Sequence, residues 1–249
     1  MSKISPLTKI QRKQLLQLGM PQEVNEQKTT EPTKKRIELY AFVLNDEDLL
    51  PLFLEYYTPF VDKMTFFDSG STDGTLELLK NYKVIQTGFT TQDVPRYMEF
   101  ANNVWKKSEY DLVFFPHIDE ILYKEDLKEF LDTHNYDIYQ AKGYNMVSDE
   151  FPKKLSDVTK GVADYWFDKC IIFNPKIQIY FDAGFHTMIT NSKNINRFDI
   201  KLLHYRFLGV NDVLKRRQLA VDRNGKEIRS IDKTMAIYFQ TLNDATEVL

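Results

Sequence analysis

Apolar runs and amphipathic segments alternate along the first half of the chain. Residues 37–44 form a nearly continuous apolar run with β-branched and aromatic members, which is typical of a strand buried on both faces. The next segment has apolar residues at helical spacing, at Leu49, Leu52, Phe53 and Tyr56. The pattern predicts a buried strand followed directly by a helix.

The same alternation continues to residue 116. It predicts short strands at 63–68, 83–88 and 111–116, and helices at 75–82 and 96–107. Strands that alternate with helices form βαβ units, so we predict an α/β fold with a mainly parallel, Rossmann-like sheet flanked by helices. Ligands bind such sheets at the carboxyl ends of the strands, and the loops there are the place to look for a site.

After residue 137 the pattern changes. Strand-like segments at 137–146, 170–174, 177–182 and 201–207 follow one another without a long helix between them. This half is predicted to extend the sheet and to cover the site.

The chain is predicted to have three parts. Residues 1–35 are polar and are expected to form a flexible or partly helical tail. Residues 36–208 are expected to form the main domain. Residues 209–249 are expected to be a C-terminal helical extension packed on it, with a helix at 211–222.

Composition and charge narrow the class of protein. The chain has 249 residues, a net charge of −3 and no long basic run, which argues against nucleic acid as a partner. Its single cysteine, Cys170, cannot form an internal disulfide, which favours a reducing, cytoplasmic location. The sequence has no signal-peptide pattern and no apolar stretch near the ~20 residues of a membrane span. Peripheral contact with a membrane stays open.

The first candidate motif, FFDSGSTDGT at 66–75, lies between a predicted strand and a predicted helix. Gly70 and Gly74 allow a tight turn, and Asp68 stands at the carboxyl end of the strand. Asp73 is suited to capping the helix. On composition alone, a capped turn explains this motif as well as a ligand site does.

The second candidate motif is His117-Ile118-Asp119-Glu120, directly after the buried strand at 111–116. A carboxylate at a strand end can hold a divalent cation, which neutralises a pyrophosphate as a nucleotide leaves. The alternative is a helix N-terminus with acidic residues in its first turn.

The first motif resembles that of the family-2 glycosyltransferases of the GT-A fold. Their first βαβ unit ends in an Asp-x-Gly-Ser-Thr-Asp-Gly-Thr turn, which matches the stretch from Asp68. Their short Asn-x-Glu stretch matches Asn45 and Glu47. The resemblance is clear over residues 37–125 and loose beyond them.

The second motif resembles the family's Asp-x-Asp motif. The metal-binding position of that motif matches Asp119, and the Glu that often follows matches Glu120. His117 replaces the first Asp, which puts a ribose contact at that position in doubt and leaves the metal-binding position intact.

The resemblance also implies further nucleotide and metal contacts. Similar enzymes have a nucleotide-binding Arg where Arg96 lies, although a solvated arginine is an equal alternative. A late metal-binding His is matched by His204, with His186 as competitor and a hydrogen-bonded strand histidine as the alternative; an imidazole ligand favours Mn²⁺ over Mg²⁺. The implied nucleotide-binding residues are Asn45, Glu47, Asp68, Arg96, His117 and Asp119, and the implied metal ligands are Asp119 and His204.

An inverting transfer also needs a carboxylate base that takes the proton of the acceptor hydroxyl. The acidic and aromatic segment at 164–169 resembles the family's acceptor-side segment, so Asp168 and Asp164 are the candidates, with Asp149 and Glu150 in reserve. The alternative for each is an ordinary surface acid.

Together the motifs predict a metal-dependent glycosyltransferase. It would move a sugar from a nucleotide-diphosphate sugar to a hydroxyl of a glycan or lipid-linked glycan, with Mn²⁺ or Mg²⁺ as cofactor; surface polysaccharide synthesis is a family expectation. Inversion is the working hypothesis, and retention stays open. The alternatives are a nucleotidyltransferase, against which the acidic, Gly-free loop at 45–48 argues, and a non-catalytic module that binds nucleotide sugars or glycans.

Overall fold

The computed structural model describes residues 33–90, 93–215 and 231–249. The expected tail at 1–32 and the part of the expected C-terminal helix at 216–222 lie outside these residues. Within them, no helix is both long enough and apolar enough to cross a membrane.

Four parallel strands form the core of the sheet, in the order β3-β2-β1-β4. They are β1 (Ile37–Val43), β2 (Lys63–Asp68), β3 (Lys83–Gln86) and β4 (Leu112–Phe114). Every residue of β1 is buried, because helices and loops cover both faces of the sheet. The predicted α/β class is confirmed, and its parallel part lies where the strands and helices alternate.

Three helices connect these strands: α1 (Leu50–Tyr57), α2 (Thr75–Leu78) and α3 (Val94–Ala101). The predicted helix at 96–107 is wrong in its bounds, since α3 begins at Val94 and a separate 3₁₀ turn covers Val104–Lys107. Asn102 marks the break: its side-chain nitrogen donates to Met98 O and Phe181 O, each at 3.0 Å.

The second half adds strands of mixed direction. They are β5 (Glu120–Tyr123), β6 (Ile138–Ser148), β7 (Lys160–Ala163), β8 (Lys169–Phe173), β9 (Ile179–Phe181), β10 (Met188–Thr190), β11 (Ile195–Leu208) and β12 (Thr246–Glu247). β8 joins the core by antiparallel pairing with β4 and β6, and β11 pairs parallel with β6. The predicted strand at 177–182 does not extend this sheet, because β9 pairs with β10 in a separate two-stranded sheet.

Helices and the last strand complete the described part of the chain. Helix α4 covers Leu127–Thr133, residues 210–215 are helical, and α5 covers Ile231–Asp244. Tyr238 of α5 is buried in a small apolar cluster with Val147 and Phe207, and its hydroxyl donates to Ser148 O at 3.1 Å. Because β12 pairs with β7, the segment expected to be a helical extension also adds a strand to the sheet.

Candidate metal and nucleotide site

The strand order creates a crevice between the loops that follow β1 and β4. β4 lies on one side of β1, whereas the chain leaving β1 continues to β2 on the other side. In open α/β sheets, ligands bind at such a point, outside the carboxyl ends of the strands. A cleft of about 280 Å³ opens here. Its lining includes Leu44, Asp46, Ser69, Tyr97, His117, Asp119 and Gly184.

Three potential metal ligands cluster after β4, but they are not equivalent. One ligand atom each from His117, Asp119 and Glu120 lies within 4.8 Å of the others. The Glu120 side chain is only 1 % exposed, and its Oε1 lies 2.5 Å from Lys169 Nζ. Burial raises the pKa of Glu120, but the charges of Lys169, His117 and His204, with Lys169 the largest, together outweigh burial and lower the pKa to about 2. Glu120 is therefore a structural charge, and Asp119 is the one of these two carboxylates that lines the cleft.

Asp119 meets His204 of β11. Asp119 Oδ2 lies 3.3 Å from His204 Nε2, and the backbone of Asp119 accepts a hydrogen bond of 2.7 Å from Tyr205 N. Two neighbouring ligands of an octahedral ion, each about 2.1 Å from the metal, lie about 3 Å apart. The Asp119–His204 pair thus has the separation of two ligands of one cation. Of the two candidate histidines, His204 is the one that the structure brings to Asp119.

The ring of His204 is held on two further sides. Its Nδ1 lies 2.8 Å from Asn145 Oδ1, and the ring of Phe167 stacks on it with centroids 4.0 Å apart. A donating Nδ1 leaves Nε2 of the neutral ring as an acceptor that faces the Asp119 carboxylate. Two acceptors at this distance need a positive charge between them, either a proton or a metal ion.

Burial lowers the pKa of the other two histidines of this region. One is His117, whose side chain contributes to the cleft lining. Burial, together with the Lys169 charge, lowers the pKa of His186 to about 4. His186 Nδ1 hydrogen-bonds to Trp166 O, so this ring supports the segment around Trp166.

Asn45, Glu47 and Asp68 connect two loops behind the cleft lining. Asn45 Oδ1 accepts from Thr72 N at 2.7 Å, and Glu47 Oε2 accepts from Gly74 N at 2.8 Å. Asp68 is 1 % exposed, and its carboxylate accepts from the amides of residues 70 and 71 at 3.0 and 3.1 Å. These side chains build the wall of the cleft. The residues that line it are their sequence neighbours Asp46 and Ser69.

Asp73 lies one residue before Gly74, the N-cap of α2, and accepts from the first amide of the helix. Its Oδ1 accepts from Thr75 N at 3.0 Å at the start of α2, and its Oδ2 accepts from Glu47 N at 3.3 Å.

The start of α3 presents Tyr97 to the cleft instead of Arg96. Arg96 is exposed, lies 3.6 Å from Asp93, and lines a separate shallow groove with Phe100. Tyr97 is only 4 % exposed, and among the described residues its hydroxyl and that of Ser69 have no hydrogen-bond partner. Since buried hydroxyls are almost always hydrogen-bonded, both are suited to binding a polar ligand in the cleft.

The two candidate bases are hydrogen-bonded within the second half. Asp164 Oδ2 accepts from Asn145 Nδ2 at 2.8 Å, and its Oδ1 accepts from Trp166 N at 3.0 Å. Asp168 Oδ1 accepts from Gly143 N at 2.8 Å, and burial raises the pKa of Asp168. Neither acid is part of the cleft lining. Asp149 and Glu150, the reserve candidates, are exposed.

Asn145, Lys169 and Tyr97 are residues of the candidate site to which the sequence assigns no role there. Asn145 lies within β6 and belongs to no recognisable motif, and Lys169 begins β8 at the end of the 164–169 segment. A lysine at the head of an apolar strand is a weak signal for a buried ion pair, and an asparagine inside a strand is a weak signal for a side-chain hydrogen bond.

No family model and no curated protein matches the chain. Among solved structures, glucosyl-3-phosphoglycerate synthase from Mycobacterium tuberculosis in complex with phosphoglyceric acid is similar at 21 % identity and a TM-score of 0.32; the match covers 45 % of this chain and 44 % of that one. The same enzyme with Mn²⁺, uridine-diphosphate and glucosyl-3-phosphoglycerate is similar at 18 % identity and a TM-score of 0.30, with 45 % and 44 % covered. The chain thus spans less than half the length of these structures.

Proposed function

We propose that this protein is a divalent-metal-dependent glycosyltransferase that binds a nucleotide-diphosphate sugar in the cleft between β1 and β4. The observation that carries the proposal is the Asp119–His204 pair, with 3.3 Å between Oδ2 and Nε2, at the crevice where α/β sheets bind ligands. The Asp-x-Gly-Ser-Thr-Asp-Gly-Thr-like turn and the acidic motif after β4 both border this cleft, in keeping with a GT-A enzyme.

The donor set fits Mn²⁺ or Mg²⁺. One carboxylate oxygen and one imidazole nitrogen leave several positions for water and phosphate oxygens, as these ions require, and the imidazole favours Mn²⁺. Bound there, the ion would supply the positive charge that a departing nucleotide diphosphate needs. Glu120 does not compete for the ion, since Lys169 neutralises it.

The rest of the cleft binds the nucleotide in this proposal. The buried hydroxyls of Ser69 and Tyr97 donate hydrogen bonds to the nucleoside, a role for which their lack of protein partners suits them. Asn45, Glu47 and Asp68 act indirectly, since their bonds to the 70–74 amides fix the loops that carry Asp46 and Ser69.

The acceptor is a hydroxyl of a glycan or lipid-linked glycan, as in surface polysaccharide synthesis, and inversion is our working hypothesis. Asp168 is the favoured base because burial raises its pKa toward the range in which a carboxylate accepts a proton effectively. Asp164 is the second candidate, and Asp149 and Glu150 are the reserves.

The experiment that tests this proposal is titration calorimetry with UDP, in Mn²⁺ and in a chelator. We expect UDP to bind more than about tenfold more tightly with Mn²⁺, and Asp119→Asn to remove this difference. Asp111→Asn is the matched control, because Asp111 precedes the same strand at its opposite end and lies far from the cleft. Equal UDP affinity in both conditions would exclude a metal–diphosphate site.

Metal-dependent release of UDP from a UDP-sugar then separates the transferase from a binding module. A protein that binds UDP with Mn²⁺ but neither transfers nor hydrolyses any UDP-sugar would be a module.

A further inference from the structure

Three polar side chains lie in a row across neighbouring strands beside the candidate metal site. His204 of β11 is the direct register partner of Asn145 of β6, and Asp164 follows β7, which pairs with β6 on its other side. Asn145 therefore lies between the other two. It is 2.8 Å from each, through Oδ1 to His204 Nδ1 and through Nδ2 to Asp164 Oδ2.

The direction of these hydrogen bonds is set at the Asp164 end. Trp166 N can only donate, and it donates to Asp164 Oδ1 at 3.0 Å. A carboxylate can only accept hydrogen bonds, so the Asp164 carboxylate accepts from the side-chain NH₂ group of Asn145. The Asn145 oxygen then faces His204, whose Nδ1 must carry the proton.

We propose that Asn145 and Asp164 are positioning residues that keep the proton of His204 on Nδ1 and thereby present Nε2 to Asp119 as a metal ligand. Phe167 adds the second constraint, because its stacked ring fixes the plane of the imidazole. Partners of this kind commonly fix the tautomer and orientation of a metal-binding histidine. The consequence for metal binding rests on the proposed function, whereas the position of the proton does not.

Asp164→Asn tests the hydrogen-bonded row of Asp164, Asn145 and His204, called the relay below. The substitution keeps the shape of the side chain but reverses the direction of the hydrogen bonds. The oxygen of the new amide at position 164 can still accept from Trp166 N, so its NH₂ group faces the NH₂ group of Asn145. Relief of that clash requires Asn145 to turn and to present its NH₂ group to His204. The proton then moves to Nε2, where it competes with the metal.

The measurements are Mn²⁺ affinity by electron paramagnetic resonance and the imidazole Nδ1–H signal by ¹⁵N NMR of the metal-free protein. We expect Asp164→Asn to weaken Mn²⁺ binding by about 10–100-fold and to remove the Nδ1–H signal. The double variant Asn145→Asp/Asp164→Asn places a carboxylate between two donors, the new amide at position 164 and His204 Nδ1. It should therefore recover both the Mn²⁺ affinity and the Nδ1–H signal. Asp199→Asn is a matched control, because Asp199 Oδ2 accepts a hydrogen bond of 2.6 Å from Asn196 Nδ2 in another Asn–Asp pair of β11. It should change neither the Mn²⁺ affinity nor the Nδ1–H signal.

Three results would overturn the relay. An Nδ1–H signal unchanged in Asp164→Asn would show that Asp164 does not direct the proton. Slow turnover with unchanged Mn²⁺ affinity would make Asp164 a base instead. If the double variant recovered neither the Mn²⁺ affinity nor the Nδ1–H signal, the reversed hydrogen-bond direction would be excluded as the cause of their loss in Asp164→Asn. If the wild-type protein binds no Mn²⁺ with UDP present, the proposed function fails and with it the metal role, while the NMR signal still decides whether the relay exists.

Discussion

Replacement of Lys169 by methionine tests the buried charge pair beneath the candidate metal site. Lys169 Nζ lies 2.5 Å from Glu120 Oε1, and the two side chains are 2 % and 1 % exposed. Methionine keeps much of the side-chain length but leaves the Glu120 carboxylate without its partner. Removal of one partner from a buried pair costs about 3–5 kcal/mol, which is a large part of the ~5–15 kcal/mol by which domains are stable.

The pH dependence of stability should change sign in this variant. In the wild-type protein Lys169, together with His117 and His204, lowers the pKa of Glu120 to about 2. A lowered pKa gives stability that is present above the unfolded value of about 4.3 and is lost as pH falls toward the folded value. Lys169→Met removes the largest of the charges that oppose burial, so we expect burial to raise the pKa of Glu120 above its unfolded value and stability to fall as pH rises above about 4.3. The variant should therefore be least stable near neutral pH, where the wild-type pair contributes fully.

Denaturant unfolding at about pH 3, pH 5 and pH 7.5 measures the loss of stability and both pH dependences. The double variant Lys169→Met/Glu120→Gln should regain much of the lost stability, since it leaves no buried charge. Lys80→Met is the control: Lys80 lies 2.6 Å from Glu77, but the side chains are 63 % and 75 % exposed, so the cost should stay below about 1 kcal/mol. If Lys169→Met costs no more than Lys80→Met, the reasoning from burial is refuted.

Three further variants test the cleft and its support. Tyr97→Phe should weaken UDP binding in Mn²⁺ by about fivefold, roughly 1 kcal/mol, with stability unchanged; unaltered affinity in calorimetry would place its hydroxyl away from the nucleotide. Gly143→Ala puts a Cβ in steric overlap with the main chain of Phe167, so it should cost about 1–3 kcal/mol and weaken Mn²⁺ binding through loss of the stacking on His204. Paramagnetic resonance that shows normal Mn²⁺ affinity would contradict that role. Asp168→Asn should lower turnover by ~10²–10⁴-fold with UDP and Mn²⁺ affinities intact, and normal turnover would exclude Asp168 as the base.

The parallel core of the sheet and the position of Asp119 at its edge can both be predicted from the sequence, for the same physical reason. A strand buried on both faces is apolar along its length, so β1 and β4 stand out from their surroundings. An acid directly after such a strand must lie at its carboxyl end. Asp119 can therefore be placed at the rim of the sheet from local sequence alone.

Local sequence does not separate a ligand-binding acid from an acid that holds a loop. Asp68 and Glu47 have the residue types and positions expected of nucleotide contacts, yet their oxygens accept from backbone amides. The difference depends on how close the loops after β1 and β2 approach each other. Asn45 contributes to that approach with a left-handed backbone, φ 58°, a conformation that a non-glycine residue adopts rarely.

The family resemblance places Arg96 in the cleft, and helix phase explains why the neighbouring Tyr97 lies there instead. Successive helix residues point about 100° apart, so an error of one position exchanges an exposed side chain for a buried one. Tyr97 lies on the apolar face of α3 and packs on Phe42 with ring centroids 4.9 Å apart. Tyr97 is also one of the residues that line the cleft. An aromatic residue can thus serve the core and the site together, and apolar periodicity detects only the first role.

The contact between His204 and Asn145 depends on strand register, which periodicity does not fix here. The two residues are 59 positions apart, and the pairing of β11 with β6 shifts between Arg197 and Lys201 and again between His204 and Phe207. A slip of one residue turns every side chain of a strand to the opposite face. The irregularities flank His204, so the alternation of polar and apolar residues along β11 does not reveal its partner. The same register brings Nδ1 to Asn145 and Nε2 to Asp119, so the proposed metal ligand and the residues proposed to orient it share one structural cause. A variant that shifts the register should therefore remove both contacts at once, whereas Asp164→Asn should affect the proton on Nδ1 while the strands stay paired.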